Sequence, residues 1–369
     1  MAKVGRLFRS FTFCLRPQRS ITKTERSITA YELNIARPNS TTQSVELPQS
    51  TRLPDRKLIR CFEEPATSEM ALDLLVQIIG TAFGIFDFIY KVARVIWETL
   101  KPAPNLRNLQ GKRVLIVGGA GGVGSAVARK LVDEGVELAL WDNDESKLKS
   151  LSKELKESGY DVITQVVDIC HAKEVNNAAD QLAKNHSFEV DILFNTAGYC
   201  HLYDSLHDSD DRIERVLDTN LKGVVWCSRV YWKQFLQKRK GHIISMASVA
   251  GIAPVPHLNE YTATLHGVVG YMDVLEADTY ARGIHDIKFS TINPPFINTP
   301  MANALKTTGN ARWPWLEATQ VAEKVVRAMQ THERTLTFPA EAALFCSLKS
   351  ILPTRRFNLL NGRWWSYET

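Results

Sequence analysis

The chain has little of what marks the specialised protein classes. Its six cysteines, Cys14, Cys61, Cys170, Cys200, Cys227 and Cys346, form neither C-x-x-C pairs nor metal-ligand spacings, which argues against a disulfide scaffold or a zinc module. His201, His207 and His242 are not at metal spacing either, so no metal site is expected. No secretory signal is evident. A large charge of one sign is also missing from the main body. Residues 1–70 hold 12 Lys+Arg against 7 Asp+Glu, whereas the remaining 299 residues carry 33 against 33. The net charge of +5 therefore belongs to the N-terminal extension, and the main domain has no electrostatic basis for binding nucleic acid. What is present is ordinary: 369 residues, 44% hydrophobic and 23% charged, enough for one large domain with extensions.

Residues 1–69 are rich in Ser, Thr, Arg and Pro and have the composition of a poorly ordered extension. Within the first sixteen, Val4, Leu7, Phe8, Phe11 and Leu15 follow helical spacing while Lys3, Arg6 and Arg9 take another face, and no acidic residue precedes Glu25. That pattern fits a mitochondrial targeting helix. A solvated basic tail is the plainer alternative.

Residues 70–104 form a helix and linker. Leu72 to Leu100 is strongly apolar but interrupted by Asp73, Gln77, Asp87, Lys91, Arg94 and Glu98. With Gly80 and Gly84 these fall within an arc of roughly 100° on a helical wheel. A spanning helix is expected to lack charges over about 20 residues. A helix with one narrow polar stripe suits the surface of a bilayer or a lipid droplet, and packing on the domain or in a homodimer is the alternative. Pro102 and Pro104 close the segment.

From Gly111 strands and helices alternate. Arg113–Val117, Glu137–Trp141, Val162–Val167, Val190–Phe194, His242–Met246 and Ile287–Ile292 have the character of short buried strands, with helical patterns such as 125–134 and 172–185 between them. This rhythm predicts an α/β fold with a doubly wound parallel sheet over 105–340, followed by an amphipathic tail, 341–369.

Strand one runs into V-G-G-A-G-G-V-G, 117–124, and then into a helix. Glycines here let the backbone approach a pyrophosphate, and the helix N-terminus offers unpaired N–H groups. Asp142, 24 residues after Gly118, suits the ribose hydroxyls and would repel a 2′-phosphate, which favours NAD over NADP. The order of Gly118, Gly122 and Gly124, then Asp168, N-T-A-G at 195–198, Asn220, Ser248 and Tyr261 resembles the short-chain dehydrogenase/reductase family. The resemblance implies a Rossmann-like, single catalytic-type domain. The preceding hydrophobic helix, the W-D at 141–142 and S-L-K-S-I-L-P at 347–353 further resemble its membrane-associated branch of retinol dehydrogenases and 17-beta-hydroxysteroid dehydrogenases.

By this resemblance Gly118, Gly122, Val123, Gly124, Asp142, Asp168, Ile169, Asn195, Ala197, Gly198, Pro294 and Thr299 would bind the cofactor, with Asp168 at the adenine. Asn220 would organise a proton-relay water, and Tyr261 and Ser248 would handle the substrate oxygen. For Asn195 a cap holding the strand end is equally open. Pro295 stands where the family usually has glycine.

A tyrosine with a pKa near 10 needs a nearby cation to act as a base at neutral pH. The family supplies a lysine four residues on; here Y-T-A-T-L places Leu265 there. If the lysine normally lowers the tyrosine pKa by about three units, its loss forfeits about 4 kcal/mol and, if uncompensated, up to about a thousandfold in rate; the positive charge of oxidised nicotinamide compensates in part. The resemblance implies an NAD-linked oxidoreductase of a retinoid, steroid or fatty alcohol, slow if Leu265 goes uncompensated, working at the endoplasmic reticulum or a lipid droplet, or alternatively in mitochondria. The other reading is a catalytically silent cofactor-binding scaffold. Residues 300–318, with Trp313 and Trp315, would form a substrate lid.

Overall fold

The computed structural model describes residues 66–100, 106–200, 208–302 and 315–364, all within the compact unit Ala66–Thr369. The basic targeting pattern, His201, His207 and Trp313 lie outside the described residues.

Helix α1 (Ala66–Leu100) precedes the alternating region, which runs β1 (Arg113–Val117), α2 (Gly122–Asp133), β2 (Glu137–Asp142), α3 (Glu145–Glu157), β3 (Val162–Val166), α4 (Ala172–His186) and β4 (Ile192–Asn195). It continues through α5 (Asp210–Leu217), a π-helical turn at Asp218–Lys222, α6 (Gly223–Lys238), β5 (Gly241–Met246), α7 (Asn259–Ala281) and β6 (Ile287–Asn293). Two short strands, β7 (Ile297–Asn298) and β8 (Leu316–Glu317), pair apart from the main sheet. Then follow α8 (Ala318–Thr331), β9 (Thr335–Thr337), α9 (Ala340–Ser347) and α10 (Thr354–Trp364). The main sheet is parallel, in the order β3-β2-β1-β4-β5-β6-β9.

Central strands of a parallel sheet are covered on both faces and so are apolar throughout. Successive side chains still go to opposite sides. Leu115, Val117, Ala139, Trp141 and Leu193 join a core with α4, α6 and α7. Val114, Ile116, Leu138, Leu140 and Phe194 join a second core with α2, α3 and α8. Trp141 is fully buried and donates from Nε1 to Gln165 at 2.7 Å. A third, smaller cluster at the carboxyl end of the sheet unites Val249, Leu258 and Leu265 with Phe345 and Cys346 of α9 and Phe357 of α10.

The fourth strand starts later than the residue pattern indicates. Val190 is buried without pairing in the ladder, and the Asp191 carboxylate accepts from the Arg113 backbone N–H at 3.1 Å at the foot of β1. The seventh strand, β9, has no readable sequence signal. Arg334 beside it donates to Glu276 and Asp273 of α7 at 2.5 Å each and to Thr291 of β6 at 3.0 Å, and so holds this three-residue edge in place.

Most of the described apolar side chains of helix α1 stay exposed. Phe83, Phe86 and Trp97 are 71%, 69% and 67% exposed, with Leu74, Ile78 and Ile89 also over half exposed. Among its described residues only Gly84 is buried. No helix among the described residues is long and apolar enough to cross a membrane.

At the amino end of the sheet, His242 is fully buried and its Nε2 lies 2.8 Å from Ser290 Oγ. His332 packs edge-on against it, with ring centroids 5.0 Å apart, and hydrogen-bonds Arg107. Burial, then the neighbouring His332, Lys288 and Arg107, hold His242 well below the ordinary histidine range. Burial and the same two cations lower His332 to about 4. A lowered folded-state pKa means that the unfolded chain takes up protons first as pH falls. Stability is therefore expected to be flat above about pH 6.5 and to decline from there towards pH 4. Thermal melts across that range check this, and His332→Asn should flatten the slope.

Candidate active site

The sheet order turns back at β1, so β1 and β4 diverge into crossovers on opposite faces, and a crevice opens at their carboxyl ends. Two backbone approaches shape it. Gly118 has φ of +80°, and a Cβ there would lie 2.5 Å from the Ala197 nitrogen. A Cβ on Gly124 would lie 2.1 Å from the Gly118 carbonyl oxygen. Only glycine permits both contacts. They allow α2 to start hard against β1, with no acidic residue in its first turn, so its N-terminal N–H groups and positive dipole end face the crevice unopposed.

The resulting cleft has a volume of about 890 Å³. Gly118, Gly122, Val123, Gly124, Asp142, Asp168, Ile169, Ala197, Gly198, Asn220, Ser248, Tyr261, Pro294 and Thr299 all line it. Thr299 meets the phosphate-type turn directly, since a Cβ on Gly122 would come within 2.7 Å of its methyl group. Asn195 does not line the cleft. The alternation along β4 sends its side chain to the face shared with Leu193, where its Nδ2 donates to Ser228 at 3.0 Å and to Ser245 at 3.2 Å. It ties β4 to β5 and α6 behind the cleft floor.

The Asp142 carboxylate is fixed by backbone donors on both oxygens: Ala120 N–H at 3.0 Å and Asp144 N–H at 3.1 Å. Its free lone pairs remain at the cleft edge. Asp168 accepts from the Cys170 N–H at 2.9 Å. This glycine cradle, free helix N-terminus and anchored carboxylate fit a dinucleotide.

Asn220 sits in the π-helical turn, a distortion that turns a side chain out of the regular helical path. Its Oδ1 accepts from the Tyr199 N–H at 2.7 Å, and its Nδ2 donates to the Tyr199 carbonyl at 2.8 Å. A longer contact of 3.4 Å reaches Thr264 Oγ1. The amide therefore holds the loop after β4 against α7.

Ser248 ends the loop after β5. Its Oγ donates to the Pro294 carbonyl at 3.1 Å and accepts from Ala250 N–H at 3.2 Å. Tyr261 lies in the first turn of α7, packed against the third cluster that also contains Leu265. Burial, and then the Cys200 thiol, push the phenol well above its usual range. Burial likewise raises Cys200 to about 12. Leu265 is buried and lines the cleft, one helical turn beyond Tyr261. His266 points away from the cleft, towards the Thr262 carbonyl and Lys349.

The wall around Ser248 and Tyr261 is apolar: Val249, Val255, Leu258, Leu265, Phe296 and Met301. Phe296 stacks on Trp315 with centroids 4.9 Å apart and planes at 19°. β7 pairs β8 beside this stack, and Asn298 Nδ2 donates to Glu317 at 3.0 Å. The base of the expected lid is thus closed, while residues 303–314 lie outside the described residues. Neither Cys200 nor Phe296 belongs to a site motif in the sequence. Cys200 directly follows N-T-A-G and its neighbour Tyr199, which was the only available signal.

The family described as short chain dehydrogenase matches residues 112–310. Human 17-beta-hydroxysteroid dehydrogenase 13 is 27% identical over 255 residues, covering 69% of this chain and 84% of that protein. Estradiol 17-beta-dehydrogenase 11 of Pongo abelii is 28% identical over 257 residues, covering 70% and 84%. Both belong to the branch that the sequence resembles. A Burkholderia phymatum short chain dehydrogenase/reductase solved with NAD superposes with a TM-score of 0.59 at 25% identity, covering 69% of this chain and 96% of that one. An actinorhodin polyketide ketoreductase variant solved with NADPH gives 0.56 at 25%, covering 63% and 97%.

Because the Gly124 contact leaves no room for a methyl group, Gly124→Ala should open the turn. Calorimetric titration is expected to show NADH affinity reduced by about tenfold or more, the scale of losing one or two charge-assisted hydrogen bonds, while the melting transition stays cooperative.

Proposed function

The chain belongs to the short chain dehydrogenase family of oxidoreductases, and from that premise we propose that it interconverts a lipophilic alcohol and its ketone or aldehyde, using NAD, at a membrane or lipid-droplet surface. The observation that carries this reading is the Ser248–Tyr261 pair set in an apolar wall beside a dinucleotide-shaped cradle. Retinoid, steroid and fatty alcohols fit such a wall because Val249, Val255, Leu258, Leu265 and Phe296 offer them an aliphatic and aromatic surface.

A bound nicotinamide supplies hydride exchange at the substrate carbon; the chain's own residues manage the oxygen. Tyr261 exchanges the proton. Ser248 Oγ turns its hydrogen from the Pro294 carbonyl to the substrate oxygen and supports the developing negative charge. Asn220 holds the floor loop by its clamp on Tyr199.

The missing cation decides the pH behaviour. Reduction needs Tyr261 protonated, the form its raised pKa favours through the neutral range. Oxidation needs the phenolate, whose fraction grows about tenfold per pH unit while pH stays below that pKa. Hence kcat/KM for ketone reduction should be level from pH 6 to 9, and kcat/KM for alcohol oxidation should climb without a plateau. Leu265→Lys should create a plateau within that interval and raise the oxidation rate at neutral pH; Tyr261→Phe should abolish turnover in both backgrounds. If Tyr261→Phe leaves the rates unchanged, the assignment of the pair is wrong.

The Asp142 carboxylate supports NAD over NADP, since a 2′-phosphate would meet its negative charge. Titration with both reduced cofactors should show NADH tighter, and Asp142→Asn should narrow the gap. The exposed aromatic and aliphatic side chains of α1 support attachment to lipid. Deleting 72–100 should release the protein into the soluble fraction, whereas deleting 1–69 should not.

Leu265 also favours a second reading, a silent cofactor-binding scaffold. A chain that binds NADH yet turns over no lipophilic alcohol, even as Leu265→Lys, fits that reading instead.

A further inference from the structure

The turn that follows α9 makes contacts on two sides. Lys349 Nζ donates to the Ile252 carbonyl at 3.0 Å and lies 3.3 Å from His266 Nε2. His266 Nδ1 is 3.0 Å from the Thr262 carbonyl, an acceptor only, so Nδ1 carries the proton and Nε2 accepts from the lysine. These two partners belong to the segments that carry the reactive hydroxyls. Ile252 closes the turn that Ser248 begins, its N–H donating to Val249 at 3.0 Å. His266 is on α7, five residues beyond Tyr261 and next to Leu265.

On its other side the same turn seats α1. A Cβ on Gly84 would lie 2.6 Å from the Ser350 carbonyl oxygen, so only glycine allows the helix to approach this closely. Ser350 Oγ also lies 3.4 Å from Asp87 Oδ2. Leu348 and Leu352, at the two ends of the turn, pack against the cluster containing Tyr261 and Leu265. Adjacent residues of one turn thus touch the exposed apolar helix, the Ser248 turn and the Tyr261 helix.

We propose that Lys349 is a positioning residue that braces the Ser248 turn against α7, and that the seating of α1 at Gly84 and Asp87 sets its position. Its charge is not placed at the phenol, because Nζ is held by the Ile252 carbonyl and His266 and does not line the cleft. Its action is geometric: it fixes the separation of two hydroxyls that must meet one substrate oxygen. The inference rests on the oxidoreductase reading for the chemistry of that pair, but its first test needs no turnover.

Hydrogen exchange on the full chain, read by mass spectrometry over residues 249–253 and 262–267, supplies that test. Lys349→Met should raise exchange in both segments by about threefold or more, the mark of a loosened local unit, and Lys349→Arg should restore protection. Gly84→Leu, which forces α1 off the turn, should reproduce the Lys349→Met pattern; Asp87→Ala serves if that variant does not melt cooperatively. The proposal is overturned if Lys349→Met leaves both segments as protected as before, if arginine fails to rescue, or if displacing α1 affects residues 340–352 alone. With a lipophilic alcohol and NAD, Lys349→Met should lower kcat and leave the KM for NAD unchanged. Absence of turnover in the unmodified chain would count against the oxidoreductase reading, and the exchange data would still decide the role of Lys349.

Discussion

Backbone against backbone at the β1 turn is the contact on which the rest depends. Gly124 meets the Gly118 carbonyl, and Gly118 meets the Ala197 nitrogen, at separations that exclude a methyl group. Those contacts bring α2 and the loop after β4 to the same point, which is where the parallel sheet changes direction. The helix N-terminus, the Asp142 carboxylate and the floor at Ala197 and Gly198 become one surface only because of them. A side chain at either glycine would separate the phosphate-binding turn from the floor.

The catalytic half is governed by a different constraint, the cost of charge in an apolar setting. Tyr261 and Leu265 share a cluster with aliphatic and aromatic side chains from α9 and α10. Such surroundings suit a lipophilic substrate and disfavour a phenolate. The two properties come from the same residues, so on the proposed function a pocket fitted to an apolar alcohol would also tie its oxidation to alkaline pH. In the reductive direction no such conflict arises, because the neutral phenol is the form required.

Much of this was legible in the sequence because it is written in local patterns. The six long strands appear as apolar runs, the turn as its glycines, and the aliphatic residue on the Tyr261 helix as Leu265 four residues on. What escaped depends on contacts distant in the chain. β9 is three residues held by Arg334, whose partners lie about 40 to 60 positions away. Asn195 belongs to the N-T-A-G motif, yet strand alternation turns it away from the cleft towards Ser228 and Ser245. Lys349 is an unremarkable lysine in sequence, and only the fold brings it to Ile252 and His266.

The pairing of β7 with β8, the stack of Phe296 on Trp315 and the bond from Asn298 to Glu317 pin together the two ends of the connection between them. A segment with fixed ends can change length at small entropic cost, about 0.6 kcal/mol for each doubling. A change of length between these pins therefore leaves the β7–β8 pair and the Phe296–Trp315 stack in place. The rim of the cleft at Phe296 is in this way set by pinned ends, separately from the glycine turn at Gly118 and Gly124.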